Sequence, residues 1–559
     1  MKNRRPALGI ALIAVLFSGC NKHLSTKVEE KPPRIANIIN FIRNTEPRDP
    51  AITDEVLYNT VVEQIKQVKQ YSLPATFLLQ YDALINPKYQ SLLKDVLPAD
   101  CEVGGWWEIT QPHVEAAGMV WRGAYPWDWH ANVGFATGYT PAEREKLVDV
   151  YMDKFKSIFG KYPSSIGSWF IDSHSLQYMY DKYKIVASCN CKDQIGTDGY
   201  TMWGGYWNQG YYPSKNNAYI PAQTEENQIP VPIFRMLGSD PIYQYYAGLG
   251  GSVQHVESLE PVYGNGGGNE NWVNWFFDIV VKKETLSFQY MQIGQENSFT
   301  WDRMKHGLEI QIPKLDSLRK LGLVRVETLE QTGRWFKEQY KVTPASAVCA
   351  LDDIRNQGEK SVWYNSRFYR TNLYWHQDQF LIRDIHLFDE DLKSDYLTQA
   401  GISTQCEYKA LPFVDGFTWS SLDHLAGLRI MMKDEQGNSI ELKSDTPTVK
   451  SIPPGTLSVQ FKLIPTGYCS IKCEESKLVL SCEGLAGINW WLEFSVAPEA
   501  SLPFSKIDAA SIQAIFKGFK YQVGCEAGTI EGNQDKSFQP FVYRIHPKVN
   551  SIILNLDNK

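Results

Sequence analysis

The carboxylates that follow apolar runs are the residues of this chain best placed for chemistry. Asp172 comes directly after SIGSWFI (165–171), and Glu296 comes soon after LSFQYMQI (286–293). Glu46 follows IANIINFI (35–42), and Glu108 lies inside CEVGGWWEI (101–109). Two carboxylates can hydrolyse an acetal, one protonating the leaving oxygen while the other attacks carbon or activates water. The expected catalytic pair is Asp172 with Glu296, oriented by His174, Gln295 and Asn297; Glu46 and Glu108 stand in reserve. For any single acid a second use stays open, because Asp at a loop start also caps the next helix.

Around these acids lie aromatics in unusual number: 17 Trp, 30 Tyr and 25 Phe. Eleven of the tryptophans fall within residues 101–301, several in segments such as YPWDWH (125–130) and WGGYWN (203–208). Flat rings interleaved with hydrogen-bonding groups suit sugar rings, although filling a core is the commoner use of such rings. The expected substrate-binding set is Trp106, Trp107, Trp127, Asp128, His130, His174, Arg235 and Asp240.

Positioning acids from distant segments requires strands whose ends converge. Apolar runs at 35–42, 75–80, 101–109, 165–171, 185–189, 231–236, 286–293 and 324–328 alternate with helical spacing at 54–70, 141–159, 301–320 and 328–340. Thr140, Pro141 and Glu143 form a capping signature at the head of one helix. This alternation predicts an α/β fold, a (β/α) barrel of seven or eight strands over 34–343, with its working face at the strands' carboxyl ends. The stretch 199–275, rich in Gly, Asn, Tyr and Trp, reads as long loops over one end. From 344 to 559 the pattern changes to short alternating strands, predicting a β-sandwich-like C-terminal domain.

The 559 residues are 43% hydrophobic with a net charge of −7, which excludes a disordered chain and gives no basic footprint for nucleic acid. Residues 1–20 (MKNRRPALGIALIAVLFSGC) join a basic start to an eleven-residue apolar run, too short for the roughly 20 residues that span a bilayer. They read as a lipoprotein signal peptide with Cys20 as the lipid attachment, followed by a tether, 21–33. The expected location is the cell envelope, periplasmic or at the outer-membrane surface, with membrane contact through the lipid alone. The other nine cysteines show no repeated CxxC, so buried thiols are expected and a disulfide among 469, 473, 482 and 525 stays open.

The segments ATFLL, EVGGWWE and FGKYPSSIGSWFIDSHSLQYMYDKYKIVASCN resemble, over 34–343, the glycoside hydrolase/deacetylase superfamily and its seven-stranded (β/α) barrel. The chain also resembles a lipoprotein family of Bacteroidota in which such a barrel carries a β-rich C-terminal domain. The resemblance implies a carbohydrate substrate. Deacetylases of the superfamily hold a divalent metal with an Asp-Asp pair after strand one and a His-x-x-x-His pair after strand three. Here strand one is followed by RNTEPRD, and no two of the ten histidines stand four apart, so no metal or other cofactor is expected. A glycoside hydrolase acting on a poly- or oligosaccharide is the first reading. A metal-dependent carbohydrate deacetylase and a non-catalytic glycan-binding lipoprotein are the alternatives.

Overall fold

Strand β1 (Arg34–Ile42) has eight consecutive buried residues, as a parallel strand covered on both faces requires. In the computed structural model the described residues are Met1, 31–255, 257–485, 487–533 and 541–558. Residues 2–30, which hold nearly all of the expected signal peptide, Cys20 and most of the expected tether, lie outside them. After β1 come β2 (Thr76–Leu79), β3 (Glu102–Trp106), β4 (Ser165–Gly167) and β5 (Ala187–Asn190). An antiparallel hairpin follows, β6 (Gln194–Thr197) and β7 (Tyr200–Trp203), then β8 (Gly210–Tyr211), β9 (Ile233–Arg235), β10 (Gln289–Ile293) and β11 (Arg325–Glu327).

The sheet order is β10-β1-β2-β3-β4-β5-β9-β8, with β11 also beside β1. The seven strands from β10 to β9 run parallel, and only β8 is antiparallel to its neighbour. Between this end and β10 glutamine side chains bridge the seam. Gln209 donates to Gln289 Oε1 at 3.1 Å and accepts from Tyr290 N at 2.9 Å, and Gln292 Oε1 accepts from Leu237 N at 2.9 Å. The result is a nearly closed α/β barrel of parallel strands.

Its helices start and stop where local chemistry dictates. The helix Pro141–Phe159 begins with a capping box between Thr140 and Glu143 and ends at Gly160, whose φ of +77° suits a residue without Cβ. It buries Leu147, Val148, Tyr151, Met152 and Phe155 against the sheet, each such apolar side chain worth about 1.5–3 kcal/mol.

From Ser346 onward the strands are antiparallel. β12 (Ser346–Ala350), β13 (Glu359–Asn365), β14 (Tyr369–His376) and β15 (Gln379–Leu387) form a meander, and the described pairing continues in one path of nineteen strands to Ser551–Asn555. Of the expected β-sandwich-like domain the structure shows the coarser form, a large antiparallel β-rich part whose strands are joined in that one path. One strand, β16 (Cys406–Lys409), leaves the path and pairs in parallel with β7. The parallel and antiparallel parts belong to one compact unit, Pro32–Lys559.

A buried ionic joint ties them. Arg370 of β14 donates to both oxygens of Asp384 at 3.0 Å and also pairs with Asp193, between β5 and β6. Asp193 receives Arg235 of β9 at 2.7 Å, and His386 Nδ1 lies 3.1 Å from Asp384. The far ring nitrogen of His386 is 3.6 Å from Asp415. Three carboxylates thus face two guanidiniums and one imidazole. Burial pushes the imidazole down, but the Asp384 charge and the hydrogen bonds of Asp384 and Asp415 together outweigh it, so His386 holds its proton above the usual range.

The stretch 199–275 is tightly packed. Trp203, Tyr206, Trp207, Tyr219, Tyr243 and Tyr245 are buried, and Trp207 stacks on Trp363 of β13 at 4.2 Å. The antiparallel half supplies the partner surface that these rings need.

Candidate active site

Because the barrel strands are parallel, the residues after β1, β3, β4 and β10 emerge at the same end. There Arg43, Glu108, Trp169 and Glu296 line one pocket, with Trp127 and Trp129 from the loop before the helix Pro141–Phe159. Arg43 sits at its centre. Its Nε and Nη2 grip both oxygens of Glu108 at 3.1 and 2.8 Å, while Nη1 donates to Glu296 Oε1 at 3.1 Å. Glu46 lies 3.7 Å from Arg43 and is held by Arg48 at 2.6 Å. The Arg43 guanidinium stacks over Trp127 at 3.9 Å.

This geometry is built locally. Asn297 reads the backbone of Arg43 from both sides, accepting from its N at 2.9 Å and donating to its O at 2.8 Å. The chain reaches that position by turning at Gly294, whose φ is +104°. A Cβ there would meet Ile39 O at 2.3 Å. Gln80 donates to Glu108 at 2.7 Å, and Ser298 donates to Glu296 Oε1 at 2.6 Å. The other oxygen of Glu296 lies 3.0 Å from Arg43 Nη2 but off its N–H direction, so it has no hydrogen-bond partner.

Burial pushes the Glu296 carboxyl up to about 7, against the pull of Arg43 and with the Glu108 charge adding to the rise. Glu46 goes the other way: burial raises it, yet the hydrogen bonds of Arg48 and the charge of Arg43 win and hold it below its usual range. One acid able to carry a proton at neutral pH thus stands beside a second carboxylate, with a fixed positive charge between them. Such a set can do acid–base or nucleophilic hydrolysis.

Asp172, the other half of the expected pair, is elsewhere. It is the N-cap of the helix Ser173–Tyr183, accepting from Ser175 N at 2.9 Å and Ser175 Oγ at 2.6 Å, and it is pinned by Arg144 at 2.9 Å. Both of its oxygens are spent on the fold. His174 is on the outer face of that helix, 3.0 Å from Glu145. Trp106 stacks on Phe41 at 4.2 Å inside the barrel, and Trp107 packs against His113 and Tyr151. Arg235 belongs to the ionic joint. Asp240 closes a turn onto Ile242 and Tyr243 and accepts from Trp272. Asp128 orders its own loop, receiving Ala124 N at 3.0 Å and His130 Nδ1 at 2.6 Å. Of the expected substrate-binding set only Trp127 lines the pocket, and its face is taken by arginine.

Unexpected members are Arg43 and Arg48, Trp129 and Trp169, Tyr200 and Tyr263, and Glu260. Glu260 accepts from Gln295 at 2.8 Å and Ser258 at 3.1 Å, and burial raises its carboxyl. A wider cleft of about 450 Å³ includes Trp203, His386 and Asp415, but the last two are already committed to the ionic joint. Among the described residues no group of three or more His, Cys, Asp or Glu is arranged to hold a metal ion. In the pocket the Arg43 guanidinium takes the central place between the carboxylates and would repel a divalent cation there. These residues therefore do not fit the deacetylase metal.

No family model matches the chain, and no curated protein sequence does. Several of the similar solved structures carry polysaccharide deacetylase or glycoside hydrolase/deacetylase names and one is an allantoinase, all at low identity. One, from Parabacteroides distasonis and provisionally named a glycoside hydrolase/deacetylase, is 14% identical with a TM-score of 0.48, covering 68% of this chain and 90% of its own. A provisionally named polysaccharide deacetylase from Mycobacterium smegmatis is 12% identical, TM-score 0.34, covering 56% of this chain and 94% of its own. A family 4 acetyl xylan esterase from Clostridium thermocellum, solved with cobalt, is 9% identical, TM-score 0.24, covering 55% and 94%.

Proposed function

We propose that this chain is a carbohydrate-modifying hydrolase whose chemistry runs on Glu296 and Glu108 around Arg43. The observation that carries the proposal is the buried Glu296 carboxyl, raised to about 7 and with one oxygen beside the Arg43 guanidinium but accepting no hydrogen bond. Glu296 protonates the leaving oxygen, and Glu108, held by Arg43 and Gln80, acts as nucleophile or base. Trp129, Trp169 and Tyr263 supply the walls for a sugar ring.

For the cleavage itself, glycoside hydrolysis is the first reading. Glu108 Oε1 and Glu296 Oε2 both stand within 3.0 Å of Arg43 Nη2. Two oxygens so placed on one nitrogen are at most about 6 Å apart, short of the roughly 6.5–9.5 Å of inverting enzymes and compatible with the roughly 5–5.5 Å of retaining ones, which supports a retaining mechanism. Removal of an acyl group from a sugar is the second reading, and it is the activity in the names of several similar structures. In this pocket the same acids would activate water and protonate the alkoxide while Arg43 stabilises the oxyanion.

The test is a panel of glycans and acetylated glycans assayed for reducing ends and for acetate, with wild type, Glu296→Gln, Glu108→Gln and His174→Ala. Reducing ends lost in both acid variants and kept in His174→Ala support the glycosidase. Acetate alone, with the same pattern, moves the assignment to the deacylase. Binding without turnover in the wild type makes the chain a glycan-binding protein and sinks the proposal. We also propose export and anchoring through a lipid on Cys20, which a Cys20→Ser variant that loses a metabolically incorporated lipid label would support.

A further inference from the structure

Two of the buried thiols face each other across neighbouring strands. The strand Tyr468–Cys473 pairs antiparallel with Lys477–Glu483, and Cys469 stands directly opposite Cys482. Antiparallel pairs alternate between hydrogen-bonded and non-hydrogen-bonded sites, and at the latter the Cα atoms are only about 4.5 Å apart with side chains closer. The hairpin turn sets the phase. Glu474 N donates to Lys477 O at 2.9 Å, which makes 474 and 477 a hydrogen-bonded pair. Counting outward by twos, 472/479, 470/481 and 468/483 share that type, and 469/482 falls on the other. The amide of Cys482 accordingly points away from Cys469 and donates to Asn550 O at 3.0 Å. A disulfide needs Cα atoms about 4.4–6.8 Å apart, and this site meets that need without moving the backbone.

We propose that Cys469 and Cys482 are the site of a cross-strand disulfide, formed while the C-terminal sheet folds. Both are free thiols in this structure and both are fully buried. Burial and their mutual contact push the Cys469 thiol well above its usual range, so the folded sheet is a poor place for a thiolate to form. The bond therefore forms before the strands close over it. The Cys469 thiolate attacks a small-molecule or protein disulfide and releases one thiol. Cys482 then attacks the mixed disulfide and releases the second. Two protein thiols and one external disulfide become one protein disulfide and two external thiols.

Among the described residues no other two cysteines stand opposite each other in a strand ladder. Cys473, on the same strand, stands opposite Leu478 on one side and Leu457 on the other. Cys191 donates to Gln194, and Cys525 donates to Ala527 O. They remain thiols.

The experiment refolds the reduced, full-length chain in a glutathione/glutathione disulfide buffer, alkylates free thiols under denaturing, non-reducing conditions, and maps the peptides by mass. The expected result is a peptide pair joined through Cys469 and Cys482 in the majority of molecules, with Cys473 alkylated. The joined pair should be absent from Cys469→Ala and Cys482→Ala. Because the mapping is done on wild-type protein, it stands even where a variant fails to fold. Stoichiometric alkylation of Cys469 and Cys482 in correctly refolded protein would overturn the proposal, as would a link from either to another cysteine.

Discussion

Replacing Arg370 by Leu tests whether the joint between the barrel and the β-rich part is held by charge. Arg370 is fully buried and serves two carboxylates, Asp384 and Asp193, as well as Gly205 O and Tyr245. Taking one partner out of a buried pair costs about 3–5 kcal/mol, because it strands a charge away from water. Two carboxylates lose a partner here, though Asp193 keeps Arg235 and Tyr219 and Asp384 keeps His386. The expected loss is therefore about 5 kcal/mol at pH 7, the upper end of that range. Trp203 and Trp363 lie 5.8 and 5.5 Å from the guanidinium, so tryptophan fluorescence during urea unfolding reports on the joint directly.

The pH dependence adds a sign. In the wild type, burial raises the Asp384 carboxyl, but Arg370 and His386 outweigh it and hold it well below the usual carboxylate range. That stabilisation is present above the unfolded pKa near 4 and is lost as pH falls through the folded value. Without Arg370 one of the two groups that hold the folded carboxyl down is gone and burial pushes it up, so protonation relieves the variant. The gap between wild type and variant should narrow as pH falls from 7 to 4. A gap below about 1 kcal/mol at pH 7, the range of exposed pairs, or one that fails to narrow in acid, would refute the reasoning.

Other outcomes follow from the same structure. If Glu296 is the acid, kcat/KM should fall as pH rises through about 7, the limb should vanish in Glu296→Gln, and kcat should drop about 10²–10⁴-fold. A profile flat across pH 6–8 would exclude Glu296 as the acid. His386, raised above its unfolded value of about 6.5, contributes stability that is complete below that value and fades as pH rises through the folded one; His386→Gln should remove this alkaline decline in urea midpoints. Gly294→Ala puts a Cβ against Ile39 O in a left-handed turn, at a cost of about 1–3 kcal/mol, and should lower kcat through misplacement of Glu296. Asn297→Ala should lower kcat more than it raises KM, because it frees the backbone of Arg43 rather than a substrate contact.

The barrel strands and the Thr140 helix cap were legible because period and capping are local properties. Glu108, Glu296 and Glu46 were legible for a related reason, since parallel strands bring their carboxyl ends together whatever the loops do. Asp172 was not separable from them by type or position. What distinguishes it is Ser175 three residues on and Arg144 from another helix, and only the second of these shows that it is structural. The tryptophans misled for a different reason. Trp203 ends the short strand β7 and Trp207 lies in an irregular segment, but both are buried by residues more than 140 positions later in the chain, as in the stack of Trp207 on Trp363. Such pairing leaves no trace in periodicity. Glu260 was missed because the segment around it has no repeat from which to place it, and Arg43 because a cation amid acids is recognised only once the acids converge.

The pairing of β16 with β7 bears on modularity. Tyr200, which lines the pocket, is fixed by the ladder that starts at Cys406. A wall of the site is therefore braced by a segment some two hundred residues away, beyond the point where the parallel topology ends. A fragment cut after the last barrel helix would lose that brace together with Arg370 and Asp384. In recombination, natural or engineered, the barrel of this chain is not a cassette that can be lifted out and placed before another partner. The two halves depend on each other for their folded form, and substitutions in either must be tolerated by the other.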